Sequence, residues 1–244
     1  MQATKRAEAF TTRLREVYGE ELVSVVLYGS AARGDYREGV SDLNLVVLLR
    51  STEPATLRRG TELAREWAAE GNPPPLMLSE AEWRGSADVF PIEYTDMQDA
   101  NVVLHGSDPF VGVAVDWEHL RLQVEHELKS KQIQLREQYL LLASDPDGLG
   151  KLLTRALPTF LTLFRAGLHL AGEATPRDPA AAIAAIARLV GFDAAPFEEV
   201  LRARSTGAAF TPAGDAPVTT GYLKGVESTT RWLDGLDGPR AVPA

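Results

Sequence analysis

The 244-residue chain has no cysteine. That excludes disulfide scaffolds, zinc–thiolate sites, iron–sulfur clusters and thiol nucleophiles together. It has no apolar run near the roughly 20 residues that a membrane-spanning helix needs. Its first residues, MQATKRAEAF, lack the apolar core of a secretory leader. A cytoplasmic protein without a membrane partner is the expectation. A basic excess is missing too: 25 Lys and Arg stand against 34 Asp and Glu, a formal charge of −9. Proteins that bind duplex nucleic acid neutralise phosphates with a basic face, so this balance argues against a nucleic-acid partner. Residues 1–110 hold 11 basic and 18 acidic side chains, a balance of −7, and the remainder holds 14 and 16, a balance of −2. An acidic front half suits divalent cations or a cationic small molecule, although acidic surfaces mostly serve solubility.

What is present is ordinary globular composition, 45% apolar and 24% charged, at a length for one large domain or two small ones. The two halves differ in texture. Helical spacing of Ala7, Phe10, Leu14 and Val17 predicts a helix over residues 4–19. Leu22 to Tyr28 and Leu43 to Leu49 are short valine- and leucine-rich runs that read as buried strands. Residues 54–70 read as one helix, residues 76–78 as a weak strand, and residues 90–95 as a further strand with Pro91 at its start or at a sheet edge. From residue 116 onward only helical patterns appear, opening with a long helix over about 116–143. The expected organisation is an α+β domain over residues 1–112, an all-α helical bundle over 113–237, and a loose tail over 238–244.

The chemistry-bearing stretch is Leu27-Tyr28-Gly29-Ser30-Ala31-Ala32-Arg33-Gly34, continued by Ser41-Asp42-Leu43-Asn44-Leu45. A strand ending in Gly29-Ser30 before a helix start presents free N–H groups and a dipole end that favour phosphate. Glycine permits close approach, and the Ser30 hydroxyl adds a donor. Strand alternation puts Asp42 and Asn44 on one face, two oxygen donors beside a phosphate cradle. Arg33 reads equally as a phosphate-neutralising cation or as a solvated turn residue.

These residues resemble the nucleotidyltransferase superfamily with the DNA polymerase β-like fold, especially its small bacterial members that modify antibiotics or proteins. The resemblance implies a mixed sheet followed by a helical bundle, magnesium, and transfer of a nucleoside monophosphate from a triphosphate such as ATP to a hydroxyl. Gly29 and Ser30 would hold phosphates, Asp42 and Glu93 would be catalytic, and Asp42, Asn44 and Glu93 would form the metal set. Asn44 stands where the family usually has its second aspartate, so one metal is better supported than two. The implied partners are nucleotide and a small, aminoglycoside-like acceptor. The alternative is a catalytically degenerate nucleotide-binding or antitoxin-like protein of this fold with a protein partner. From the helical half, Lys131, Tyr222 and Lys224 are nucleotide-binding candidates, each weighed against a solvated helix face. His105, His119, His126 and His169 lack metal spacing, and Trp67, Trp83, Trp117 and Trp232 read as core.

Overall fold

The computed structural model describes residues 2–34, 36 and 41–238. Asp35, residues 37–40 and the expected loose tail from 239 lie outside them. The chain divides into two compact units, Met1–Val115 and Asp116–Ala244.

In the first unit, helix α1 (Gln2–Tyr18) precedes β1 (Leu22–Tyr28), and the short α2 (Ser30–Arg33) follows it. Then come β2 (Asn44–Leu49), α3 (Pro54–Arg58), α4 (Thr61–Ala69), β3 (Leu76–Ser79), α5 (Glu80–Gly85), α6 (Pro91–Asp99) and β4 (Asn101–Gly106). The sheet order is β3-β2-β1-β4; β1 runs antiparallel to β2 and β4, and β2 runs parallel to β3. Both faces are covered, which is why β1 and β2 read as continuous apolar runs. Leu27, Leu45 and Val47 face a layer holding Phe10, Leu14 and Trp67. Val26, Val46 and Leu48 face Trp83, Tyr94 and Met97. Trp83 and Tyr94 stack with ring centres 4.4 Å apart, and the Trp83 indole donates to the Pro109 carbonyl at 2.8 Å.

Two sequence expectations change here. The single helix over 54–70 is two helices, with Gly60 between them. A side chain at Gly60 would begin 2.2 Å from the Tyr18 hydroxyl. The strand expected over 90–95 is the helix α6, and the outer strand is β4 instead. Pro91 is a helix-opening residue with Glu93 in the first turn, a helix-start signature. That signature was obscured because Pro91, Ile92, Tyr94, Thr95 and Met97 are all buried, leaving no polar stripe of helical period. β4 is irregular where it meets β1. Its pairing with β1 shifts register between Val25 and Val26. Beside that bulge, a side chain at Gly106 would begin 2.0 Å from the Val23 carbonyl oxygen, and Gly106 has φ +75°.

The second unit is all helical: α7 (Trp117–Leu142), α8 (Pro146–Leu170), α9 (Pro179–Val190), α10 (Ala195–Thr206) and α11 (Pro217–Asp234). Asp116, Asp145 and Asp178 cap α7, α8 and α9 through their carboxylates. Leu120, Val124, Leu128 and Leu135 form the buried stripe of α7. The interior is aromatic: Phe197 stacks on Tyr222 at 4.2 Å, and Phe160, Phe164 and Phe192 pack around them.

Candidate functional site

The turn after β1 is built on one glycine. Gly29 has φ +76° and ψ −149°, backbone that L side chains rarely adopt. A side chain there would also begin 3.3 Å from the Asn44 amide nitrogen. Gly34 ends α2 in the left-handed conformation at φ +91°, and its N–H donates to the Ser30 carbonyl. The first N–H groups of any helix have no partner within it, so the Gly29–Ser30 turn presents backbone donors beside the Ser30 hydroxyl.

Register places the neighbouring groups. Tyr28 lies opposite Asn44 on one side and Asn101 on the other. The three side chains therefore share the sheet face that α6 covers. Asn101 donates its amide to the Met97 carbonyl at 2.9 Å, fastening the end of α6. Asp42 precedes β2 and is exposed, while Asn44 is half-buried. Their backbone is steadied by a residue that sequence reasoning missed. Asn72, 7% exposed, accepts from the Leu43 N–H at 3.1 Å and donates to the Trp67 carbonyl at 3.3 Å. Each end of its amide has a partner, which a buried polar group requires.

Arg33 faces inward. Its side chain is 6% exposed and forms an ion pair with Asp96, also donating to the Asp96 carbonyl at 3.1 Å. The guanidinium ties the β1–α2 turn to α6, so the solvated-turn reading fails and the phosphate-neutralising role is displaced by an internal partner. Asp96 is a second residue missed from sequence; its only sequence signal is the i,i+3 spacing to Glu93 on a helix that was read as a strand. Glu93 is not on a strand beside Asp42. It is exposed in the first turn of α6, yet it remains near the turn. Burial, then the Asp96 and Glu93 carboxylates, push the Tyr28 phenol above its ordinary value.

The three candidates from the helical half separate. Tyr222 is fully buried in the aromatic core, and burial pushes its phenol well up. That position corrects the nucleotide-binding expectation. Lys224 is exposed on α11, and Lys131 on α7 donates to Gln134 at 3.4 Å. Among the described residues, no group of three or more His, Cys, Asp or Glu side chains is placed to hold a metal ion. Asp42 and Asn44, one carboxylate and one amide, lie on the face that alternation assigns them, and Glu93 comes from the first turn of α6 rather than from a strand. Magnesium commonly takes one or two protein oxygens and fills its remaining positions with phosphate and water. The pair fits a single ion bound together with a triphosphate, not a two-metal centre.

Residues 8–82 match the family model for the nucleotidyltransferase domain. No curated protein matches the chain. Among solved structures, a spectinomycin adenyltransferase from Enterococcus faecialis, solved with ATP and spectinomycin, aligns over 94% of this chain and 99% of its own. The TM-score is 0.57 and the identity 13%, a likeness of fold. A toxin–antitoxin structure with AMP-PNP aligns over 48% of this chain and 90% of its own, with TM-score 0.34 and 19% identity. The superfamily resemblance carried by Gly29-Ser30 and Asp42 holds, and the fold is a nucleotidyltransferase domain followed by a helical unit. No helix among the described residues is long and apolar enough to cross a membrane.

Proposed function

We propose that this chain, a nucleotidyltransferase by its N-terminal domain, moves a nucleoside monophosphate from a nucleoside triphosphate, ATP for testing, to a hydroxyl of a small acceptor. The observation that carries the reading is the Gly29 turn. Its glycine-only backbone, pressed against Asn44 and followed by the Ser30 hydroxyl, lies within the matched domain. In this reading the turn holds the β- and γ-phosphates through backbone N–H groups and Ser30. Asp42 and Asn44 would hold one magnesium ion, which when bound offsets triphosphate charge. The acceptor oxygen bonds to the α-phosphorus while the bond to the bridging oxygen breaks, and pyrophosphate leaves. Glu93, exposed beside Tyr28, takes the hydroxyl proton. Arg33 and Asp96 act one step back, by fixing the turn against α6. Such transfer asks for positioning and charge neutralisation more than covalent chemistry from the protein.

A second reading, nucleotide binding without turnover, is favoured by the amides of Asn44 and Asn101 flanking Tyr28. Calorimetric titration of ATP with and without magnesium tests the cradle common to the two readings. Ser30→Ala should weaken ATP about tenfold, the scale of one hydrogen bond to a charged group. Unchanged affinity would remove the cradle. Asn44→Asp should make binding more magnesium-dependent than in the wild type. Pyrophosphate release in the presence of acceptor alcohols then separates transfer from binding alone.

A further inference from the structure

Within the second unit, α7 and α8 line an open groove of about 450 Å³. That is within the range of about 300–1,000 Å³ typical of small-molecule sites. Its floor is apolar: Leu135 and Phe160 are 3% and 2% exposed, and Leu152 and Ala156 extend the same surface. Lys131, Lys151 and Arg155 line it, and among the described residues no Asp or Glu does. Lys151 meets Asp147, which lies outside the lining. Lys131 has only the neutral oxygen of Gln134, and Arg155 is exposed with no protein partner among the described residues.

Three cations around one apolar hollow repel each other, and nothing in the lining offsets them. In a chain of formal charge −9, such a concentration is local and contrary to the whole. A hollow of one sign with low-dielectric walls focuses field and draws counter-ions. The carboxamides of Gln134 and Gln138 add donors beside the cations. The geometry points to a binding site for a small organic anion, a carboxylate, sulfonate or phosphate head on an aromatic or branched apolar body. The head meets Lys131, Lys151 and Arg155, and the body lies on Leu135 and Phe160. The proposal is argued from the second unit alone: it assigns Lys131 to this anion rather than to the nucleotide, and the ligand's sign is opposite to that of a cationic, aminoglycoside-like acceptor.

Two fluorescent probes of nearly the same aromatic body test it: anilinonaphthalene sulfonate, an anion, and phenylnaphthylamine, which lacks the sulfonate. The wild-type chain should bind the sulfonate at one site and markedly more tightly than the neutral amine. Arg155→Gln and Lys131→Gln should each weaken the sulfonate about fivefold to tenfold, with the neutral probe unmoved and the melting temperature kept. Arg136→Gln, on α7 but outside the lining and paired with Glu227, should leave the sulfonate unchanged. Saturating ATP should leave the probe in place. The proposal is overturned by no sulfonate binding, by equal affinity for the two probes, by an equal loss in Arg136→Gln, or by displacement with ATP. Failure of Ser30→Ala to weaken ATP would not touch these outcomes, so the two readings fail separately.

Discussion

Buried polar groups are treated in opposite ways beside the Gly29 turn of the first unit and in the aromatic core of the second. The first unit fastens its functional turn with polar contacts under cover: the Arg33–Asp96 ion pair and the two-ended Asn72 amide hold separate elements together. The second unit builds its interior from stacked rings and leaves the Tyr222 hydroxyl buried with no hydrogen-bond partner among the described residues. One of its cations is also buried: Arg165 donates to the Pro176 and Arg177 carbonyls. The difference teaches that deleting a buried polar group should hurt at Arg33 and help at Tyr222.

The strongest way to break that comparison is Arg33→Ala. It leaves Asp96 partly buried without its partner, and loss of one member of a buried pair costs about 3–5 kcal/mol. Denaturant unfolding of the variant should show that loss in the first unit, with ATP affinity falling as the turn loosens. An effect no larger than that of a surface charge would mean the pair braces nothing. In the second unit, Tyr222→Phe should have the opposite sign. Removing a buried hydroxyl without a partner should stabilise by about 1 kcal/mol. Scanning calorimetry reads the gain, and ATP affinity should be unchanged because Tyr222 is core. A destabilised variant would mean that the hydroxyl is satisfied.

These opposed signs follow from features that were unequally legible in the sequence. The runs Leu22 to Tyr28 and Leu45 to Leu49 declare themselves as buried strands because strand burial is written into consecutive apolar residues. Gly29, Ser30, Asp42 and Asn44 are close in sequence and belong to one strand–turn–strand unit, so their spacing could be read directly. The partners that complete the site come from far along the chain. Asn72 and Asp96 meet Leu43 and Arg33 only after the helices pack. Glu93 falls on a helix whose sequence reads as a strand, because a short alternation of apolar and acidic residues also describes a helix buried on several sides. Tyr222 and Lys224 are joint binding candidates by sequence, but helical geometry turns Tyr222 inward while Lys224 faces out. Lys131 was noticed for its charge alone. The hollow it lines requires α8 to bring Lys151 and Arg155 alongside, which no local pattern announces.

The smallest effect concerns an exposed version of the same bracing. Glu82, in the first turn of α5, accepts from the Ser79 N–H at 2.7 Å, the Ser79 hydroxyl at 2.8 Å and the Thr52 hydroxyl at 3.0 Å. Those bonds, the Ser79 N–H foremost, hold its carboxyl below the usual range. A depressed folded value means the contribution is present above the unfolded carboxylate pKa and is lost as pH falls through the folded one. Glu82→Gln should therefore lower the melting temperature slightly at neutral pH, and the gap should close under acid. A gap independent of pH would assign the effect to packing rather than charge.

The bulge between Val25 and Val26 and the tight seat of Gly106 against Val23 act as a stop on the outer strand. If β4 slid by one residue along β1, every side chain on it would exchange faces. Asn101 would then leave Tyr28 and release the end of α6, carrying Asp96 away from Arg33. Because only glycine fits where β4 ends, the slip is resisted at the far end of the strand from the turn it protects. A position with no chemistry of its own thus keeps the Gly29 turn and its helix in alignment.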